Sequence, residues 1–180
     1  YLTFEETDYS YAGRTSYQGQ VMRANSLARI NMTEQFGTKC ADGYLARFRE
    51  TFGRPAHAIL LFDLGRGIEL VYALERAIEI LDQPLDQEDT AVPFSPHDGE
   101  GYGLVEAPRG PLIHRYCIQD GLIKDAEFII PTVHNNLAIE RALRVAARRY
   151  ITPERIDMEL ERAVGRVVRA FDPCIACATH

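Results

Sequence analysis

The sequence has no tryptophan and only four cysteines in 180 residues. So few thiols exclude the disulfide-dense frameworks of small secreted domains. No run approaches the roughly 20 consecutive apolar residues that a bilayer-spanning helix needs, so no membrane span is expected. Basic residues are the minority: 20 Lys and Arg against 26 Asp and Glu leave a formal net charge of −6. A dedicated nucleic-acid binder carries a basic stripe, so no nucleic acid is expected as a partner. An initiating Met is also missing. The chain starts at Tyr1, stops abruptly at His180, and is expected to be a piece of a longer chain.

Hydrophobic residues make up 46% and charged residues 26%. Both values are ordinary for a globular protein, and a chain of this size hides roughly 70% of its unfolded surface. Residues 1–20 are rich in Tyr, Ser, Thr and Gly and read as loop with short strands. A helix is predicted from Asp42, with Tyr44, Leu45 and Phe48 on one face and Gly53 at its end. A longer one is predicted from Pro55 to Leu81, where Gly65 and Gly67 mark a close helix crossing. Residues 82–101 hold three prolines and many acids and read as loop. Tyr102–Ala107, Leu112–Ile118 and Leu122–Ile130 read as strands, the last two joined by a tight Asp120-Gly121 turn. A helix follows over Asn135–Tyr150, and another begins with Thr152 as cap and Pro153 at its first position, ending near Ala170. The fold class is therefore α+β and mainly helical: long packed helices with a small antiparallel sheet near residues 102–130.

The chemistry gathers in the last nine residues, Asp172-Pro173-Cys174-Ile175-Ala176-Cys177-Ala178-Thr179-His180. A Cys-x-x-Cys pair brings two sulfurs close enough to share a metal or to form a redox disulfide. His180 adds a nitrogen ligand. Pro173 blocks continuation of the preceding helix, so the thiols are expected at a helix exit, outside a regular element. Three readings stay open on spacing alone: a half zinc site, a redox dithiol, and a metal site completed by another segment or chain. Cys40 and Cys117 belong to no pair.

The terminal Asp-Pro-Cys-x-x-Cys-x-x-His resembles the C-terminal signature of nickel–iron hydrogenase large subunits. Glu106-Ala107-Pro108-Arg109-Gly110 resembles that family's Ala-Pro-Arg-Gly motif, and Ile130-Pro131-Thr132-Val133-His134-Asn135 its Pro-Ser/Thr-x-x-Asn motif. Ser26–Asn31 resembles a weaker upstream segment. The order and spacing of the motifs also fit, and the resemblance covers the chain from about residue 20.

The resemblance implies a role for each matching residue. Cys174 is a terminal thiolate on nickel and the first proton acceptor. Cys177 bridges nickel and an iron that carries carbon monoxide and cyanide. Arg109 places its guanidinium over the open metal face, and Thr132 donates its hydroxyl to a cyanide, with Pro131 lining the diatomic pocket. Pro108 and Asp172 support these groups from behind. His180 and the Phe128 carbonyl bind a magnesium (or iron) ion near the C-terminus. The implied reaction is reversible heterolytic cleavage of H2, with electrons passed to an iron–sulfur small subunit, then to further electron-transfer subunits. Residues 1–180 are then the C-terminal part of the catalytic domain. The N-terminal half, which holds the other cysteine pair, is absent from this chain, and without it the piece is expected to be inactive. Glu106 and the terminal His180 resemble the cytoplasmic, cofactor-linked members, which implies a cytoplasmic location.

Blander readings stand beside these. His134 at a strand-to-helix junction reads as a capping or packing residue, and His57 and His114 as structural or exposed. Cys117 reads as a small buried hydrophobe. The arginines over 141–149 read as a solvated helix face or a salt-bridged surface, ahead of any nucleic-acid contact. A non-catalytic or maturation-related relative that keeps the fold, or a plain dithiol or zinc-binding module, is the alternative function.

Overall fold

A computed structural model describes residues 2–7, 10–84, 91–151 and 158–178. Strands β1 (Leu2–Thr7) and β2 (Ser10–Tyr17) pair antiparallel, so most of the expected N-terminal loop is a hairpin. Helix α1 (Ser26–Met32) has no counterpart among the helices predicted from the sequence; seven residues are too few to display a helical period. Its start is set by Asn25, whose side chain accepts from the Ser26 N–H at 2.5 Å. Helix α2 (Lys39–Phe52) ends at Gly53, as predicted, where φ is 78°. Leu45 and Phe48 are buried, but Tyr44 is half exposed and lies off the packed face.

Helix α3 (Leu61–Leu81) begins six residues later than predicted. The segment around Pro55 is held out of the helix by Asn31. Its side chain accepts from the Ala56 N–H at 2.9 Å and donates to the Ala56 carbonyl at 2.8 Å. The predicted close crossing is real at Gly65, where a Cβ would meet Ser26 Oγ at 3.1 Å. At Gly67 there is open space.

Strands β3 (Gly99–Ala107), β4 (Gly110–Gln119) and β5 (Leu122–Ile129) form the expected antiparallel meander. Asp120 and Gly121, with φ of 54° and 73°, make the tight turn that their identities predicted. Gly99–Gly101 extend β3 into what the sequence suggested was loop. Helix α4 (Pro131–Tyr150) starts four residues earlier than predicted, with Pro131 in its first turn, where a missing N–H costs nothing. Helix α5 (Met158–Phe171) follows; the predicted cap Thr152 and its neighbour Pro153 lie outside the described residues. A single turn, α6 (Ile175–Ala178), closes the chain. It contains Cys177, which corrects the expectation that both thiols sit outside regular structure: Pro173 ends α5, but the chain winds one more turn beyond it.

Leu27, Ile30, Leu45, Phe48, Phe62, Ile68, Val167 and Phe171 make the main core. The Phe62 and Phe171 rings pack 5.2 Å apart and fasten the end of α5 to α3. Each fully buried side chain of this kind contributes about 1.5–3 kcal/mol of burial. A second cluster, Ile130, Val133 and Ala178 with Phe4, Leu112 and Phe128 against it, helps hold α6 against β2 and α4.

Thr38 makes no side-chain cap for α2. Glu75 of α3 does that work from a distance, accepting from the Cys40 and Ala41 N–H groups at 2.8 and 2.9 Å. Those two backbone donors hold its carboxyl at about 2. The folded state thus binds the proton less tightly than the unfolded chain, whose Glu titrates near ~4.3. The α2–α3 linkage is fully present above that value and is lost as pH falls toward about 2. Glu75→Gln is expected to lower the melting temperature at pH 6 and to shrink its fall between pH 5 and 2; acid titration followed by circular dichroism reads both.

Candidate metal centre

Asp172 turns the chain off α5. It sits in the left-handed region at φ 48°, which Asp tolerates better than most residues, and its N–H donates to the Val168 carbonyl at 2.9 Å. Pro173 prevents the helix from resuming. Cys174 is half-buried and Cys177 exposed. Their Cα atoms lie 5.4 Å apart and their sulfurs are joined as a disulfide. The Cys174 N–H donates to Thr132 Oγ1 at 3.0 Å. Thr132 stands in the first turn of α4 and is buried. Accepting that bond uses a lone pair of Oγ1 and leaves the hydroxyl hydrogen able to donate.

The β3–β4 hairpin delivers the third component. Ala107 pairs with Gly110, so Pro108 and Arg109 form the two-residue connection at its tip. Arg109 Nε donates to the Asp172 carbonyl at 2.6 Å and lies 3.0 Å from the Asp172 carboxylate. Among the described residues, neither of its Nη nitrogens has a partner. Gly110 allows the tip to come this close. Its φ is 134°, and a Cβ there would stand 2.6 Å from the Ala24 Cβ and 3.7 Å from Pro131.

Buried amides lock the surrounding frame. Asn25 Nδ2 donates to the Phe171 carbonyl at 3.2 Å, satisfying the end of α5. Asn135 accepts from the Ala24 N–H at 2.9 Å. His134 Nε2 lies 3.0 Å from the Pro111 carbonyl, which can only accept, so Nε2 carries the proton. Nδ1 then accepts from the Thr15 hydroxyl at 3.0 Å. Burial pushes this imidazole below its usual range despite the Pro111 bond, and it is a neutral packing group, as its position suggested.

Cys174, Cys177, Arg109, Thr132, Pro131 and Asp172 therefore share one corner of the fold. Pro108 is at its edge, with its carbonyl turned to Arg29 at 2.7 Å. Phe128 packs on the cluster that holds Ala178. His180 lies outside the described residues. Cys40 and Cys117 remain free thiols. Cys117 is half-buried, more open than a core hydrophobe. Glu106 binds Arg29 at 2.6 Å. Asn25 and Thr15 escape sequence-based reasoning, and Arg29 is marked only as part of the Ser26–Asn31 segment, with no role read for it. Asn25 carries no motif, and Thr15 becomes meaningful only when His134, 119 residues away, folds onto it.

Once reduced, the Cys174–Cys177 pair, with a buried hydroxyl able to donate and a guanidinium with free donors, suits soft metals with small anionic ligands. The donor set is a half-site: among the described residues, no three His, Cys, Asp or Glu side chains group so as to hold a metal. No helix among them is long and apolar enough to cross a membrane.

Comparison with known proteins agrees with this chemistry. Residues 2–180 match the family described as nickel-dependent hydrogenase. The chain is 39% identical over 163 residues to a vhc F420-non-reducing hydrogenase subunit of Methanococcus voltae, covering 88% of this chain and 34% of that one. It is 37% identical over 169 residues to the beta subunit of an NAD-reducing hydrogenase of Cupriavidus necator, covering 91% of this chain and 34% of that one. A crystal structure of an NAD+-reducing [NiFe]-hydrogenase in the H2-reduced state superposes with a TM-score of 0.74 at 28% identity, over 99% of this chain and 41% of that one. The chain thus spans 34% of the length of these two curated relatives and 41% of the solved structure's chain.

Proposed function

The chain belongs to the nickel-dependent hydrogenase family, and on that premise we propose that it is the C-terminal part of the large, catalytic subunit of a nickel–iron hydrogenase, an enzyme for reversible heterolytic cleavage of H2. One observation carries this reading: three segments far apart in sequence, around Arg109, Thr132 and Cys174, meet at one corner through two specific hydrogen bonds.

Cys174 and Cys177 supply two of the thiolates that hold nickel and iron, and an upstream half of the subunit supplies the rest. When bound, the nickel–iron group with its carbon monoxide and cyanide ligands supplies the redox and Lewis-acid chemistry for splitting H2. The chain's own residues do the remainder. Cys174 takes the departing proton on its sulfur. Thr132 and Arg109 would donate to the small anionic ligands of that group, and Arg109 would add a fixed positive charge beside it. Asp172 orients Arg109 through its carbonyl and carboxylate. The Phe128 carbonyl and His180 would hold a magnesium (or iron) ion that ties down the C-terminus.

Exposed apolar surface supports the need for more chain. Leu74, Ile78 and Leu81 recur at helical spacing along α3 and are each more than half exposed, as expected for a face covered by the upstream half of the subunit. An iron–sulfur small subunit, with further electron-transfer subunits, completes the assembly in the cytoplasm. The relatives, named as subunits of NAD-reducing and F420-non-reducing hydrogenases, favour this multi-subunit type.

The test is metal analysis with infrared spectroscopy on the complete assembly. Nickel and iron together, with bands from carbon monoxide and cyanide, are the expected result. Zinc alone, or no metal, would replace this reading with a dithiol or zinc-binding module.

A further inference from the structure

We propose that Arg29 is a positioning residue for Arg109: it clamps the arm of the hairpin on which Arg109 stands and so sets where the free guanidinium nitrogens reach. The proposal rests on the role given to Arg109 above.

Arg29 leaves α1 with its side chain about three-quarters buried. It spends all five of its N–H donors. Nε and Nη2 donate to the two carboxylate oxygens of Glu69 on α3, at 2.5 and 2.7 Å. Nη1 donates to the Glu106 carboxylate at 2.6 Å and to the Ala107 carbonyl at 3.3 Å. Nη2 also donates to the Pro108 carbonyl at 2.7 Å. One planar group thus ties α3 to Glu106, Ala107 and Pro108, the residues that lead directly into Arg109.

The turn needs such a clamp. Gly99–Glu106 of β3 are exposed, so little packing holds that arm. Gly110 wedges the far side of the turn against Ala24 and Pro131. Arg29 fixes the near side. None of its hydrogen bonds goes to Cys174, Cys177 or Arg109, so it acts through the turn and not on the reacting atoms. Lysine cannot substitute. An ammonium presents one compact charge, whereas here a rigid fork spans two carboxylates and two carbonyls. Without the fork, the turn keeps its sequence and its Gly110 wedge but loses its registry with α3.

The experiment compares R29K, R109K and the double variant in the complete, metal-loaded enzyme, with turnover expressed per nickel. R29K is expected to lower kcat for H2 oxidation about tenfold with KM for H2 nearly unchanged, since small misplacements of a positioned group cost rate and not binding. Its cyanide infrared bands should move in the same direction as those of R109K. In the R109K background, R29K should add nothing further, because both changes act through one group. Glu106→Gln, which leaves the Pro108 bond in place, should show a smaller loss in the same direction. Wild-type kcat per nickel with unmoved cyanide bands in R29K, even if its melting temperature falls, would make the clamp purely structural and overturn the proposal. Full multiplication of the two losses in the double variant would overturn it as well. An R109K enzyme with wild-type turnover and bands would instead sink the parent reading of Arg109.

Discussion

Cys174→Ser in the complete subunit is expected to abolish nickel retention and H2 oxidation while leaving the fold of this region intact. The substitution changes one atom and removes the Cys174–Cys177 disulfide, which closes a loop of only three residues' separation. It keeps the Cys174 N–H bond to Thr132, which comes from the backbone. The side chain is only half-buried, so the packing cost is small, within about 1 kcal/mol. What it removes is a soft, polarisable thiolate in favour of a hard alcohol that stays protonated at neutral pH. Sites that select nickel and iron by sulfur do not tolerate that exchange. Cys177→Ser should have the same consequence, for a side chain more exposed still. Cys40→Ser and Cys117→Ser are the matched controls, since both are free thiols away from the terminal pair. Nickel per subunit falling to background in the first two variants and staying at the wild-type value in the controls is the expected pattern. Melting temperatures of the metal-free forms should agree within a few degrees.

The second large effect belongs to Arg109→Lys, which should lower turnover by about a hundredfold or more, the usual cost of losing a preorganised donor at a site of developing charge. Lysine keeps the positive charge but cannot bind Asp172 through Nε and still present two nitrogens beyond it. The effect on stability should be slight, because the Arg109–Asp172 ion pair has side chains 37% and 46% exposed. Pairs that open to solvent contribute about 0–1 kcal/mol. Asp172→Asn sharpens the comparison. Asn also accepts the left-handed backbone of position 172, and the 2.6 Å bond from Arg109 Nε goes to the carbonyl, which the substitution spares. D172N should therefore lose activity far less than R109K. Similar losses in the two variants would place the function in the carboxylate instead of the guanidinium.

Local signals were the legible ones. Asp120-Gly121 announces its turn because both residues must take positive φ, and few others do so cheaply. Gly53 ends α2 for the same reason. Element starts were harder to read. Pro55 has the identity of a helix-initiating residue, but a side chain 24 positions upstream, Asn31, holds the next residue in an irregular segment. Pro131 has the same identity and does start a helix. Only long-range partners separate the two cases. At the site, the motif residues were visible as types, and Cys174, Arg109 and Thr132 do converge. The frame behind them was not visible. Asn25, Thr15 and Arg29 act through contacts that span tens of residues; the Ser26–Asn31 resemblance marks the neighbourhood of Asn25 and Arg29 but gives neither a role, and nothing marks Thr15. Glu75 is similar: it caps a helix that begins 36 positions before it, where a local scan finds only Thr38, which makes no cap.

Anomalous diffraction at the nickel edge from the full-length subunit tests the central claim most directly. The account predicts a nickel peak about 2.3 Å, the length of a typical metal–thiolate bond, from the sulfurs of both Cys174 and Cys177. Two further cysteine sulfurs from the upstream half should complete the set. A peak away from these two residues, or the pair persisting as a disulfide in an enzyme that still oxidises H2, would contradict it.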